Sequence, residues 1–307
     1  MNMTTITGTN TGVITGTNTG TPESFGIATS SMLAELSISC WTGRKLDKQV
    51  SQEVDAVKNA KGRAGNYHKH LLAGSSALDN VTKYAAGIRL WHNKRTLPWS
   101  DSGARLITMA GFIDYKQQLN EHERNFNALV SSFITAYPTL ISAAAFQLGE
   151  LFNRDEYPEA DEIARKFRFS CTFSPVPTAG DFRIDINEEA KRELVAQYEN
   201  SFNVRIESAM RDAWGRLHDC LSHMSDRLSA NDDGTRKVFH STLLTNAQEL
   251  VELLSHLNVT KDPKLEDARR SLAETLLRTD LSTLKESDEV RVSTKNKVDE
   301  ILSKFEW

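Results

Sequence analysis

The chain has 307 residues, of which 39% are hydrophobic and 25% charged, and its net charge is −4. These values describe a soluble chain with enough apolar material for a core, either two modest domains or one elongated domain with appendages. Cys40, Cys171 and Cys220 lie far apart, and none forms a Cys-x-x-Cys pair. That argues against a disulfide scaffold or a zinc knuckle and suits a reducing cytoplasm.

Residues 1–30 are rich in Thr, Gly and Asn, and Ile-Thr-Gly-Thr-Asn-Thr-Gly occurs twice, at 6–12 and 14–20. Such a composition buries too little surface to offset the entropy of ordering, so a disordered tail is expected. The minority reading is a segment that adds to a partner as a strand. No basic stretch followed by an apolar one marks a secretory signal. No apolar run reaches the 18 or so residues of a membrane span.

Residues 32–41 suggest a short strand or helical turn. A polar helix comes next over about 46–61, with Val50, Val54 and Val57 on one side, and 67–72 reads as helical again. A further helix is expected over 78–91, and 92–99 reads as a basic, aromatic loop. From Ala104 to about Ala136 the spacing predicts a long helix. Pro138 is placed at the start of a second helix that ends near Phe152.

Phe167, Phe169, Cys171 and Phe173 then alternate with polar residues, as do Phe182, Ile184 and Ile186, so 167–186 reads as a β-hairpin. Apolar residues from Ala190 to Leu228 recur every three or four positions, which predicts one helix over 187–230, capped by Asn187. At ~1.5 Å per residue it spans roughly 60 Å and is expected to pack along the 104–136 helix. Leucine-rich helices are expected over 238–257 and from Lys261 onward, and a last one carries Val298, Ile301 and Phe305. The predicted fold is mainly α, an elongated helical bundle or coiled-coil-like rod with a β-hairpin insertion and a C-terminal helical arm. The organisation is a tail (1–30), a body (31–230) and an arm (231–307).

Trp41-Thr42-Gly43-Arg44-Lys45 comes after an apolar Leu36-x-Ile38-x-Cys40, and Tyr137-Pro138, Phe167-Arg168-Phe169 and Ser174-Pro175-Val176 come later. Over about 33–230 these motifs resemble a family of tailed-phage and bacterial proteins without assigned function. The genes of that family neighbour those of MoxR-type AAA+ ATPases and von Willebrand A-domain proteins. The resemblance implies a setting, a phage or bacterial cytoplasmic protein (host cytoplasm if phage-encoded) beside an ATPase assembly. It carries over no catalytic residue.

Between residues 41 and 100 eleven Lys and Arg face four acids, in a chain that is acidic elsewhere. Such a block implies an anionic partner, either single-stranded nucleic acid or the acidic surface of another subunit. The nucleic-acid candidates are Arg44, Lys45, Lys61, Arg63, Lys69, Arg89, Lys94 and Arg95, with Trp91 and Trp99 for base stacking. The partner-binding candidates are Leu243, Leu250, Leu254 and Leu257, since a thin rod would leave such a stripe for another subunit. Asp219, Cys220 and His223 are too few to make a metal site and read as structural. The acids around 155–162 with Glu188 and Glu189 read as helix-start residues rather than catalytic ones. No phosphate loop, dinucleotide fingerprint, nucleophile elbow or His-Glu-x-x-His occurs. The expected function is therefore non-enzymatic, without metal or cofactor. It is a homo-oligomeric scaffold or adaptor, beside a MoxR-type ATPase or von Willebrand A-domain protein, with no membrane partner.

Overall fold

The computed structural model describes residues 22–178, 187–231 and 235–305. Among them the chain is mainly α, with a small antiparallel sheet. Helix α1 (Pro22–Ser30) leads into β1 (Ser31–Ser39), then β2 (Arg44–Asp47), α2 (Lys48–Val57) and β3 (Tyr67–His70). The expected helix over 67–72 is instead β3, which pairs with β2 in a two-stranded ribbon. The valine side of α2 faces solvent. Val54 and Val57 are 51% and 75% exposed. The buried residue is Ser51, whose hydroxyl donates to Asp47 O and accepts from Tyr67 N, tying helix to ribbon.

Helix α3 (Ala77–Arg95) extends through most of the expected loop to β4 (Leu97–Pro98) and β5 (Arg105–Thr108). The start of the predicted 104–136 helix is thus a strand, because Leu106 and Ile107 are buried on opposite faces of a sheet. Helix α4 (Met109–Leu148) then runs unbroken, with Pro138 inside it rather than at a new start. After α5 (Ala160–Ala164) comes β6 (Arg168–Pro175), which pairs along its whole length with β1, from Met32↔Pro175 to Ser39↔Arg168. The first arm of the expected hairpin is therefore half of a long-range pair. Its second arm lies outside the described residues.

The central sheet has the order β4-β5-β1-β6, and strand alternation sends its two faces to different helices. Leu33, Leu97 and Leu106 face one core. Ala34 and Ile107 face another, with Tyr115 and Leu119 of α4. A third cluster, holding Ile38, Trp41, Ile88, Phe126, Phe133 and Tyr137, fills the space between α3 and α4.

The first core belongs to α6 (Glu188–Leu228), α7 (Thr242–Leu257), α8 (Pro263–Leu277), α9 (Leu281–Glu286) and α10 (Asp288–Lys304). Asn187 caps α6 as expected, its side chain accepting from Ala190 N at 2.8 Å. The two longest helices do not share a core. The buried residues of α4 meet α3 and the sheet, whereas those of α6 meet α7, α8 and α10. The apolar stripe of α6 is thus covered by the helices C-terminal to it.

Candidate functional site

The basic block divides into exposed and spent cations. Arg44 and Lys45 on β2, and Lys61 and Arg63 in the loop after α2, are exposed and have no ion-pair partner among the described residues. Ribbon register sets Arg44 opposite His70 and Leu46 opposite His68, so these side chains share one face. Arg44 and His70 also line a cleft of about 550 Å³ beside the start of α3.

Lys69 is corrected. It is 5% exposed, with its Nζ 2.7 Å from Glu156 and 3.3 Å from Asp47, and it donates to Leu151 O at 2.8 Å. Burial pulls its pKa down, but the two carboxylates outweigh that and raise it. Arg89 donates to Ile38 O at 2.7 Å, and Arg95 pairs with Asp114 at 2.6 Å. Lys94 remains exposed without an ion pair among the described residues.

The aromatic planes expected for stacking are occupied. Trp91 lies 4.8 Å from Tyr115 in a stacked pair, and its Nε1 donates to Gln118. Trp99 is 4% exposed, packed edge-on to Phe202, and its Nε1 has no partner among the described residues. Neither presents a face for a base. His92 is buried with its Nδ1 2.7 Å from the Tyr115 hydroxyl. Burial and the nearby Arg105 push its pKa down to about 4.

Sequence reading missed the arginines that close helix ends. Arg216 donates to the carbonyls of Asn93, Lys94 and Thr96, and Arg105 to those of Asn93 and Thr96. The last carbonyls of α3 lack intrahelical partners, and a guanidinium's fork of donors suits them. Arg291, 5% exposed, does the same for α6 at Arg227 and Leu228. No local pattern marks Arg216 or Arg291, because each acts on a helix end more than 60 residues away in sequence.

The partner-binding leucines are also corrected. Leu243, Leu254 and Leu257 are 6%, 0% and 2% exposed within the chain's own core, and Leu250 is partly buried against it. Asp219, Cys220 and His223 line one cleft with Leu250. No group of three or more His, Cys, Asp or Glu placed to hold a metal occurs among the described residues. Three of the acids near 155–162 are paired, Glu156 with Lys69, Glu159 with Arg154 and Glu162 with Lys166.

What the sequence did not single out is the outer side of α4. Phe146 is 88% exposed, Ile113 78% and Met109 47%. Between them the solvent-facing residues include Ala128, Ser132, Thr135, Thr139 and Ala143. By length and composition the segment Met109–Leu151 is apolar enough to cross a membrane, although no continuous apolar run reveals it. Its inner side, with Phe126, Phe133, Tyr137 and Ala144, forms the wall of the α3–α4 core. No protein-family model, curated protein or solved structure matches this chain.

Proposed function

We propose that the protein is a non-enzymatic scaffold or adaptor that self-associates through the outer side of α4. The observation that carries this reading is a 40-residue helix with its inner side buried and large apolar residues exposed near both ends of its outer side. Small residues from Ala128 to Ala143 leave room for a second chain over the C-terminal half of that side, while its first half carries the polar Gln117, Glu121 and Arg124. A copy laid antiparallel brings Phe146 of one chain toward Ile113 of the other, a self-complementary two-fold contact. Over ~40 residues at ~1.5 Å each, such a contact is about 60 Å long and gives the assembly an elongated shape. The exposed cations of the β2–β3 ribbon then form a second surface, suited to an acidic partner. On the resemblance carried by residues 41–45 and 167–176, that partner is a MoxR-type ATPase or a von Willebrand A-domain protein in the cytoplasm.

Light scattering after size exclusion tests the first step. The wild-type chain is expected to be a dimer or larger at micromolar concentration. A variant with Ile113→Glu and Phe146→Glu should be monomeric with unchanged circular dichroism. A monomeric wild type would overturn the reading. So would flotation with liposomes that the double variant abolishes, which would give α4 a lipid partner instead. Nucleic acid is the other candidate for the ribbon, and a salt-sensitive gel shift lost in Arg44→Ala with Lys45→Ala would assign it.

A further inference from the structure

Residues 44–70 lie between β1 and α3 as the β2–β3 ribbon with α2. Lys69 and Asp47 pair with each other, and the rest of this unit keeps six exposed Lys and Arg against two carboxylates, Glu53 and Asp55. Asp55 is turned to the Ala64 N–H, which it accepts at 3.2 Å, and Glu53 accepts from Gln49 at 3.0 Å. From residue 56 to residue 78 there is no Asp or Glu, and every residue from 56 to 68 is exposed. The charge of this stretch is therefore unbalanced, with Lys58, Lys61 and Arg63 close together and no acid among them.

Helix α2 ends where Asn59 enters the left-handed region at φ 52°, and Ala60 N closes on Asp55 O at 2.9 Å. Lys58 sits at that helix end, where a cation complements the dipole for structural reasons alone. Lys61 and Arg63 lie beyond it, in Lys61-Gly62-Arg63-Ala64-Gly65, and serve no helix. The N–H groups of Lys61, Gly62, Arg63 and Gly65 have no acceptor among the described residues. Gly62 and Gly65 carry no side chain to hold a ligand away from those amides. Amide donors and cations together suit a phosphate, which brings several acceptor oxygens and a full charge. Stacking contributes little here, since Trp91 and Trp99 are packed inside and the nearest aromatic in sequence is Tyr67, 40% exposed.

We infer that the loop 58–65 binds the sugar–phosphate backbone of duplex nucleic acid without regard to sequence. Lys58, Lys61 and Arg63 neutralise phosphates, and the loop amides donate to their oxygens. A duplex is favoured over a single strand because its charge is denser and no base plane is read. The loop is distinct from the Arg44 and Lys45 surface of the ribbon. Its role rests neither on self-association nor on the acidic protein partner proposed above.

The test is fluorescence anisotropy of a labelled random-sequence DNA duplex with the full chain at low and raised salt. Three neutralised phosphates predict affinity about 40-fold weaker at ~200 mM than at ~50 mM salt. Lys61→Ala with Arg63→Ala should flatten the slope of log affinity against log salt by about 2. Circular dichroism should stay native in that variant, because neither side chain makes a hydrogen bond or ion pair among the described residues. Arg44→Ala with Lys45→Ala should change the slope less. Bound duplex should also slow acetylation of Lys58 and Lys61, read by peptide mass spectrometry, without slowing that of Lys264. No salt-sensitive binding, a slope unchanged in Lys61→Ala with Arg63→Ala, or unprotected Lys58 and Lys61 would overturn the inference. Tighter binding of a single strand of equal length would overturn it by showing that bases are read. Displacement of the duplex by polyglutamate at equal charge concentration would give the loop to an acidic protein instead.

Discussion

At the scale of single residues, His92 shows how burial converts a polar side chain into a pH liability. Its folded pKa of about 4 lies below the ordinary 6.5 because the charged form loses water and meets Arg105. A base whose pKa falls on folding leaves stability complete above about 6.5, and that stability is lost as pH drops toward 4. The full difference amounts to about 3 kcal/mol. Urea unfolding at pH 7 and pH 4.5 should show this loss in the wild type and a much smaller one in His92→Gln. Equal acid sensitivity of the two chains would refute the assignment. In sequence His92 is one more member of a basic, aromatic block. What removes it, and Lys69 and Trp99, from the surface is contact with Tyr115, Glu156 and Phe202, all distant along the chain. Composition located the block and its exposed members Arg44, Lys45, Lys61 and Arg63, but burial is set by partners that no local window contains.

At the scale of elements, periodicity read best where one helix spans many turns. Residue 187 was legible as a cap because Asn suits that role, and Asp262 likewise caps α8, with Pro263 at its first turn. Short strands were less legible, since β3 and β5 have four residues each and owe their shape to pairing rather than propensity. Pro138 misled for a related reason. Proline usually marks a helix start, yet here the packing of Phe133, Tyr137 and Ile141 on one side holds the helix together through it. Its ring has no N–H to give the carbonyl of Ile134 and crowds that carbonyl. Pro138→Ala should therefore raise the unfolding free energy by about 1–2 kcal/mol, part of the usual cost of an interior proline. Chemical denaturation with an unchanged m-value would check it, and a destabilised variant would mean that the proline fits a bend the fold requires.

At the scale of the molecule, the central sheet separates two bodies of core, α3 with α4 on one face and the α6 bundle against the other. The α6 side depends on the last quarter of the chain. Ala213, Leu217, Leu221 and Met224 are each 0% exposed, and their cluster is completed by residues of α7, α8 and α10. Arg291 of α10 adds the cap on the last carbonyls of α6. A chain ending at residue 230 would expose these side chains, at a cost of about 1.5–3 kcal/mol for each large one, and would leave that helix end uncapped. The α3–α4 core draws its buried residues from Ile38 to Phe167 and loses none of them. Truncation at 230 should thus melt α6 selectively. Hydrogen exchange should show protection lost over 205–228 and retained over 126–144. Retained protection over 205–228 would make the C-terminal helices an appendage, and loss over both stretches would make the two cores one cooperative unit.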